Sequence, residues 1–282
     1  MGSGTTAPPP AAGPPPAAGP ADDPLPEALS LARGAAEAGL GLKLLGGLAV
    51  RVICPDFPPR LRAGQDMDFA CLSKGRKDVA AYLERSGCTP DRRFNNLNGD
   101  RQMYFNAPSG RPVDVMVDRL NMCHVLDFRP SFGSLPFTVD AIDVLLSKLQ
   151  IVELNEKDAW DIFQLLSGVP VGARGGAPGA GRHAAGRSAG GAGATLDTDR
   201  FARLLGADWG WWRTVTGNLA KLPGLAAEKP HLIPAGAPFD ALAQGRQLLE
   251  VAESAPKSMK WKLRSNVGDR VRWYELPEEV DH

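Results

Sequence analysis

The sequence predicts an α/β fold of the α+β kind, in which a small mixed β-sheet is flanked by helices and followed by a mainly helical C-terminal region. An apolar run over residues 42–45 meets a glycine pair and resumes over 48–50, which is typical of a strand that turns sharply into a helix. Residues 66–69 alternate carboxylates with apolar side chains, as a strand does. Helical spacing dominates from residue 139 onwards.

Composition limits the classes of protein to which the chain can belong. Its 282 residues include 32 basic and 32 acidic side chains, so a surface for nucleic acid would have to be a local patch. The four cysteines show no C-x-x-C spacing, which argues against a zinc site or a disulfide scaffold and predicts reduced thiols. No apolar run approaches the ~20 residues of a membrane helix, and the N-terminus lacks a basic region followed by an apolar core. We therefore expect a cytoplasmic protein with no membrane contact.

The domain organisation follows from shifts in composition. Residues 1–24 are rich in proline and alanine and have too few large apolar side chains to offset the entropy of ordering, so they are predicted to be disordered. Residues 25–171 have the mixed pattern of a folded domain. Residues 172–195 are mostly glycine, alanine and arginine, which predicts a flexible linker. Residues 196–282 form the mainly helical C-terminal region.

The elements of the first domain are predicted from periodicity and from proline and glycine breaks. Prolines after Cys54 force an extended loop before the second strand. Two strand-like runs joined by a Pro/Gly turn predict a hairpin. The predicted order is a helix over 25–38, a strand over 42–45, a helix ending at 54, a strand over 66–71, a helix over 74–86, and hairpin strands over 102–106 and 112–118.

The remaining predicted elements are helices. Apolar residues recur at helical spacing over 139–152 and 155–166, and the short connection predicts that these two helices pack together. Further helices are predicted over 201–205, 209–222 and 239–252. The last stretch, 257–274, is basic and interleaved with Trp261 and Trp273, which suits either a solvated face or an RNA-binding surface.

The glycine pair and the acidic strand predict neighbouring anion and cation sites. Gly46 and Gly47 would turn the chain so that backbone N–H groups face an anion. Because strand side chains alternate between faces, Asp66 and Asp68 are expected to point the same way. Two like charges held side by side favour a cation between them.

A third carboxylate is expected from the second hairpin strand. Asp114 and Asp118 are both candidates, since residues four apart on a regular strand share one face. Asp114 is favoured because Val113 and Val115 place it in mid-strand. With such a carboxylate the set could hold two Mg²⁺ ions ~3.5–4 Å apart, which activate an attacking hydroxyl and neutralise a leaving pyrophosphate.

The run Gly46-Gly47, then Arg62-x-x-x-Asp66-Met67-Asp68-Phe69, then Val113-Asp114-Val115 resembles the DNA polymerase β-like nucleotidyltransferase superfamily. The resemblance implies that the glycine pair holds a nucleoside triphosphate (NTP) and that Asp66, Asp68 and Asp114 are catalytic metal ligands. The chain departs from the family at Gly64, where a Ser or Thr is common. The phosphates would then be held by backbone groups and Arg62.

A second motif narrows the resemblance to the AbiEii-type nucleotidyltransferases. It consists of Lys148 followed by Lys157-Asp158-Ala159-Trp160-Asp161, and the whole resemblance covers about residues 42–166. It implies that Lys148 contacts the triphosphate and that Asp158 completes the site. Members include toxins that add nucleotides to tRNA ends, which implies a tRNA 3′ end as acceptor and an antitoxin-like protein as partner.

Other interpretations stay open from the sequence alone. Lys148 could be an ordinary helix residue, and Lys157, Asp158 and Asp161 a solvated face. The tryptophans at 209, 211 and 212 suit a helix core better than a stacking surface. The acceptor could instead be the hydroxyl of a small, antibiotic-type molecule or a protein side chain. A module that binds nucleotides or partners without catalysis is the alternative from a different class.

Overall fold

The computed structural model describes residues 23–61, 64–174 and 193–275. Its central sheet has five strands in the order β1-β2-β5-β4-β3. Strands β2 and β5 are parallel and the other neighbours are antiparallel, so the predicted small mixed sheet is confirmed. The strands are β1 (Leu42–Leu44), β2 (Met67–Cys71), β3 (Thr89–Pro90), β4 (Gln102–Asn106) and β5 (Pro112–Val117).

The two faces of the sheet differ in polarity because side chains alternate along each strand. Met67 and Phe69 of β2 and Val113 and Val115 of β5 are buried on one face. Asp68, between the two apolar residues of β2, lies on the other face and is half-buried. The open face of the sheet is therefore the one that carries the carboxylates.

Four helices accompany the sheet in the first part of the chain, and three of them match predicted helices. The unexpected one is α4, which is short and contains three asparagines, so it lacks an apolar stripe. The neighbouring strand β3 was also not predicted. The helices are α1 (Leu25–Glu37), α2 (Gly46–Ile53), α3 (Arg76–Arg85) and α4 (Arg92–Asn98).

Helices α5 (Ala141–Leu149) and α6 (Glu156–Gly168) pack against each other, as their spacing predicted. All residues of α5 are buried, so this helix is surrounded by protein. The side chain of Asn155 caps α6 by accepting a hydrogen bond from the backbone N–H of Asp158. Before α5, the chain forms a second small hairpin from β6 (Arg119–Asn121) and β7 (Val125–Asp127).

The C-terminal region is mainly helical, as expected. Its helices pack on the first part of the chain, α8 against α5 and α9 against α6, and one continuous apolar core runs through both parts. Pro223 lies inside α8, which continues beyond the predicted end at 222. The helices are α7 (Thr198–Ala207), α8 (Trp209–Glu228), α9 (Ala241–Ser254) and α10 (Met259–Val267).

Two short strands lie on either side of the predicted linker. β8 (Val171–Gly172) pairs in parallel with β9 (Leu196–Asp197). Residues 175–192 of that linker, and residues 1–22 of the predicted disordered tail, lie outside the described residues. The division into four segments stays a prediction.

The cysteines agree with the prediction of buried thiols. Cys54, Cys71, Cys88 and Cys123 are all buried and none forms a disulfide. In the part of the chain that the structure describes, no helix has the length and apolar character needed to cross a membrane.

Two cations of the basic C-terminal stretch contact aromatic rings of the same protein. The Arg264 guanidinium lies 4.6 Å from the centre of the Trp209 ring and donates to the carbonyls of Gly268 and Val271. Lys257 lies over the rings of Trp212 and Trp261. Four further basic side chains of the stretch are exposed, so both interpretations, a solvated face and an RNA-binding surface, stay predictions; these residues are Lys260, Lys262, Arg270 and Arg272.

Candidate functional site

The glycine turn connects β1 to α2. Leu45 is extended (φ −129°, ψ 179°), and Gly46 then takes a φ of +62° as the helix begins. A Cβ at Gly46 would lie 2.4 Å from Asp68 Oδ2, whereas a Cβ at Gly47 would meet Asp161 Oδ2 at an ordinary 3.7 Å. The N-cap residue Leu45 supplies no side-chain cap to α2, and the first backbone N–H groups of a helix carry the positive end of its dipole.

The substitution Gly46→Ala is expected to destabilise the protein by about 1–3 kcal/mol, because it adds a clash with Asp68 to a left-handed backbone. Since the sequence resemblance implies that this turn holds an NTP, the same change is expected to weaken NTP binding. Gly47→Ala is the matched control, since its Cβ has room and its φ is not left-handed. Thermal unfolding and calorimetric titration with NTP would measure both variants. Equal stability of the two alanine variants would contradict this account of the turn.

The carboxylates are brought together by strand pairing. In the parallel pair β2–β5, Asp68 lies directly opposite Asp114, and Asp66 immediately precedes β2. Burial, Asp66 and Asp114 raise the pKa of Asp68 to about 6, while Lys148 and Lys157 act in the opposite direction. Asp66 and Asp114 are therefore close enough to Asp68 to repel its carboxylate, and the positive charges of Lys148 and Lys157 also act on it.

The structure separates the two candidates for the third carboxylate. Asp114 lies in the middle of β5, where its Oδ1 accepts a hydrogen bond from Gln102 Nε2 (2.7 Å). Asp118 follows the end of β5 with a φ of +61°, and its Oδ1 accepts from the backbone N–H of Ser73 (2.9 Å). Asp118 thus holds a turn at the far end of the strand, and Asp114 is the neighbour of Asp68.

Lys148 lies in a buried ionic cluster between α5 and α6. Its Nζ is 3.0 Å from Asp158 Oδ1 and 2.8 Å from Asp161 Oδ2. Burial alone would lower the pKa of Lys148, but Asp161 and Asp158 together raise it above its usual value, so the ammonium stays charged. The structure therefore places Lys148 and Asp158 against each other. Their contact with a triphosphate stays a prediction.

Asp161 connects this cluster to the glycine turn, and the candidate set from the sequence did not include it. Its Oδ2 faces both Lys148 Nζ and the position where a Cβ of Gly47 would be. The signal was present in the sequence as the spacing Asp158-x-x-Asp161, which puts both side chains on one side of a helix.

Gln65 is a second residue that the candidate set lacked. It is buried beside the glycine turn, with its Nε2 3.8 Å from the position of a Gly47 Cβ. Its Oε1 is buried and has no hydrogen-bond partner among the described residues. Gly64, where the nucleotidyltransferases that the sequence resembles often have a hydroxyl, has a φ of +65° in open space, so a Ser or Thr would be strained there. Arg62 lies outside the described residues.

The carboxylate set suits a hard divalent cation by its chemistry. Asp66, Asp68 and Asp114 offer only carboxylate oxygens, which Mg²⁺ prefers, and their mutual repulsion would be relieved by positive charge. Within residues 23–61, 64–174 and 193–275, no three acidic, His or Cys side chains already converge on one point as metal ligands do.

Comparison with known proteins gives little further information. No family model matches the chain, and no curated protein matches it. A solved structure of an antigenic nucleotidyltransferase-like protein from Paracoccidioides brasiliensis is similar with a TM-score of 0.37 and 13% identity, covering 84% of this chain and 96% of that chain.

Proposed function

We propose that this protein is a nucleotidyltransferase that moves a nucleoside monophosphate from an NTP to a hydroxyl group. The observation that carries the proposal is the position of Asp68, which lies opposite Asp114 in the sheet and against Gly46 at the start of α2. Carboxylates that can hold cations thus lie next to uncapped backbone N–H groups that can hold phosphate. Cleavage of a triphosphate needs both the cations and the groups that hold the phosphates.

Each part of the site would have a distinct task. The N–H groups at the start of α2 would orient the β- and γ-phosphates, and the charged Lys148 would offset part of the negative charge around them. Asp66, Asp68 and Asp114 would hold two Mg²⁺ ions. When bound, these ions would supply neutralisation of the leaving pyrophosphate and a lowered pKa of the acceptor hydroxyl.

The transfer is a displacement at phosphorus. The acceptor hydroxyl oxygen forms a bond to the α-phosphorus, the bond from that phosphorus to the oxygen bridging to the β-phosphate breaks, and pyrophosphate leaves with the electron pair. The hydroxyl proton passes to the Asp114 carboxylate. Gln102 Nε2 donates to Asp114 Oδ1 and thereby helps to orient this carboxylate.

The acceptor that we propose is a tRNA 3′ end, in a toxin-like role with an antitoxin-like protein as partner. The support is the resemblance of Lys148 and of the Lys157-to-Asp161 motif to the AbiEii type. A small-molecule hydroxyl or a protein side chain is the alternative within the same chemistry.

Incubation with each labelled NTP, Mg²⁺ and a whole-cell extract tests the proposal. We expect label in the RNA fraction with equimolar release of pyrophosphate, and neither in the Asp66→Asn/Asp68→Asn double variant. Label in small molecules or protein would keep the chemistry and change the acceptor. Mg²⁺-dependent NTP binding without release of pyrophosphate would instead support a binding module, and transfer that survives the double substitution would disprove the proposed mechanism.

A further inference from the structure

A row of exposed apolar side chains runs along helix α10. Met259, Leu263 and Val267 are four residues apart, so they lie on one side of the helix, and we call them the α10 row. Their exposed fractions are 73%, 65% and 39%, and Val271, just beyond the helix, is 58% exposed. Among the described residues eight large apolar side chains are exposed, and these four are half of them. The exposed apolar side chains are therefore concentrated at α10.

The opposite side of α10 is held against the rest of the protein. The Trp261 ring lies 5.3 Å from the Trp212 ring of α8, at an interplanar angle of 75°. The Arg264 guanidinium lies over Trp209 at the start of the same helix. Because α10 is fixed through this inner side, the α10 row points away from α8. A concentrated aliphatic surface of this kind gains free energy when a partner removes it from water.

The charges beside the α10 row are mostly positive. Four exposed basic side chains lie in the same stretch, namely Lys260, Lys262, Arg270 and Arg272. Asp269, the only acidic residue from 257 to 274, pairs with Arg213 (3.0 Å). Lys260 lies 4.0 Å from Asp208, and the other three basic side chains form no ion pair with any described carboxylate. A partner that covers the row is therefore favoured if acidic side chains border its own apolar residues.

The α10 row has the shape of a helix-packing surface. Side chains four residues apart form a ridge along a helix, and the ridges of two helices interlock when the helices pack. From Met259 to Val267 the row extends about 12 Å, which a partner helix of about three turns covers. An extended segment binds through backbone hydrogen bonds to the edge of a sheet, which a helix does not offer. The partner segment that fits best is thus a helix.

Three other occupants fit this surface less well. Single-stranded RNA stacks its bases on aromatic rings, but Trp261 and Trp209 already have a cation of the same chain over them, Lys257 and Arg264. A helix that lies on a lipid surface directs aromatic side chains into the interface, whereas Trp261 faces Trp212. A second copy of this chain would bring cations against cations.

We propose that the α10 row is the docking surface for an amphipathic helix of a partner protein, with acidic side chains on both borders of its apolar stripe. The row supplies the apolar contact, and the four exposed basic side chains select the acidic borders. No residue of this surface belongs to the carboxylate site, so the inference does not depend on nucleotide transfer. An antitoxin-like protein would have to present such a helix in order to bind here.

Two labelled peptides of equal length test the charge of the partner. Both form amphipathic helices with leucines along one side, and the borders of this stripe are glutamates in one peptide and lysines in the other. Fluorescence anisotropy measures the binding of each peptide to the full-length protein at low salt. We expect the wild type to bind the glutamate peptide about tenfold more tightly or better, and Lys262→Glu/Arg270→Glu to prefer the lysine peptide.

The variant Leu263→Ser tests the apolar contact without changing the charge. It should weaken binding of the glutamate peptide about tenfold or more, because a buried leucine side chain contributes at least that much. Leu97→Ser is the matched control, since Leu97 on α4 is 73% exposed and lies outside the stretch. It should leave the affinity unchanged. Unfolding curves would verify that each variant folds.

The inference is overturned if the wild type does not bind the glutamate peptide, if both peptides bind equally, or if Leu97→Ser weakens binding as much as Leu263→Ser. It is also overturned if the surface takes another occupant in place of that peptide. Single-stranded RNA bound through Lys262 and Arg270 but not Leu263 would be one, and phosphatidylserine vesicles bound through Leu263 another. Sedimentation would show a dimer that depends on Leu263 if the occupant is a second copy.

The acidic residues at the end of the printed sequence are a further occupant to test. Residues 276–282 lie outside the described residues and contain Glu278, Glu279 and Asp281. If Glu278→Gln/Glu279→Gln binds the glutamate peptide about tenfold more tightly than the wild type, these residues compete for the surface and the inference is overturned. Equal affinity supports a partner protein as the occupant.

Failure of this inference and failure of the proposed function are distinguishable. Asp66→Asn/Asp68→Asn should lose nucleotide transfer and bind the glutamate peptide as the wild type does. Leu263→Ser should lose peptide binding and keep both NTP binding and transfer. Peptide binding without any transfer by the wild type would leave the docking surface and refute the enzyme, and transfer without peptide binding would do the reverse.

Discussion

Replacement of Asp68 by Asn is expected to reduce nucleotide transfer about a thousand-fold while making the folded protein more stable. Loss of transfer follows because the amide is a poorer ligand for a divalent cation and no longer offsets its charge. Gain in stability follows because burial, together with repulsion from Asp66 and Asp114, disfavours the charged Asp68 carboxylate and raises its pKa to about 6. Transfer assays and denaturant unfolding at pH 7.5 would measure the two effects.

The stability difference between Asp68→Asn and the wild type is expected to depend on pH. The folded pKa of Asp68, about 6, lies above the ordinary value of 3.8, so on acidification the folded state binds this proton before the unfolded state does. The free energy by which ionised Asp68 destabilises the folded state is complete above pH 6 and disappears as the pH falls towards 4. It changes by at most about 1.4 kcal/mol per pH unit. The stability advantage of Asp68→Asn should therefore shrink between pH 7.5 and pH 5. An advantage of constant size would show that the pKa of Asp68 is not raised in the folded protein.

Asp118→Asn is the matched control for both measurements. Asp118 lies at the far end of β5, where its side chain accepts from the Ser73 N–H. Asn tolerates the left-handed φ of this position better than most residues. Transfer should remain close to that of the wild type, and a large loss would mean that the wrong aspartate has been assigned to the site.

Lys148→Met is expected to destabilise the protein by about 3–5 kcal/mol, the largest effect on folding that we predict for a single substitution. The lysine is 7% exposed and neutralises both Asp158 and Asp161. Methionine fills a similar volume but leaves two carboxylates close together without a cation. Chemical denaturation at pH 7 would measure the loss.

Two further variants identify the cause of that loss. Lys148→Met/Asp158→Asn/Asp161→Asn removes the charges together and should recover at least half of the stability. Lys229→Met breaks an exposed ion pair with Glu156 and should cost less than about 1 kcal/mol. If the triple variant is no more stable than Lys148→Met, packing rather than charge governs this cluster.

The part of the site that lies on neighbouring strands could be predicted from sequence. Alternation along a strand placed Asp68 on a polar face, and the glycine pair marked the turn beside it, because both patterns depend only on local geometry. The sequence left Asp114 and Asp118 as alternatives, since both occupy the same face of a regular strand. The left-handed φ at Asp118, which ends the strand, distinguishes them.

Features that depend on packing between elements could not be predicted. The partners of Lys148 come from another helix, and periodicity within one helix gives no information about which residues of its neighbour are near. Helix α4 has a polar sequence and exists because Asn95 and Asp91 bond to β4 and to the helix end. The sequence pattern therefore did not predict that the Phe94 ring of α4 would lie beside the Tyr104 ring of β4.

The pairing of β8 with β9 affects how far the length of the chain between them can change during evolution. Val171 lies beside Leu196, and Arg174 joins Asp140 to Asp197, so the two ends of the intervening segment are held together by contacts of their own. A loop whose ends are already close costs only about 0.6 kcal/mol more when its length doubles. Insertions and deletions between these strands are thus nearly neutral for folding, and relatives are expected to differ most in length here.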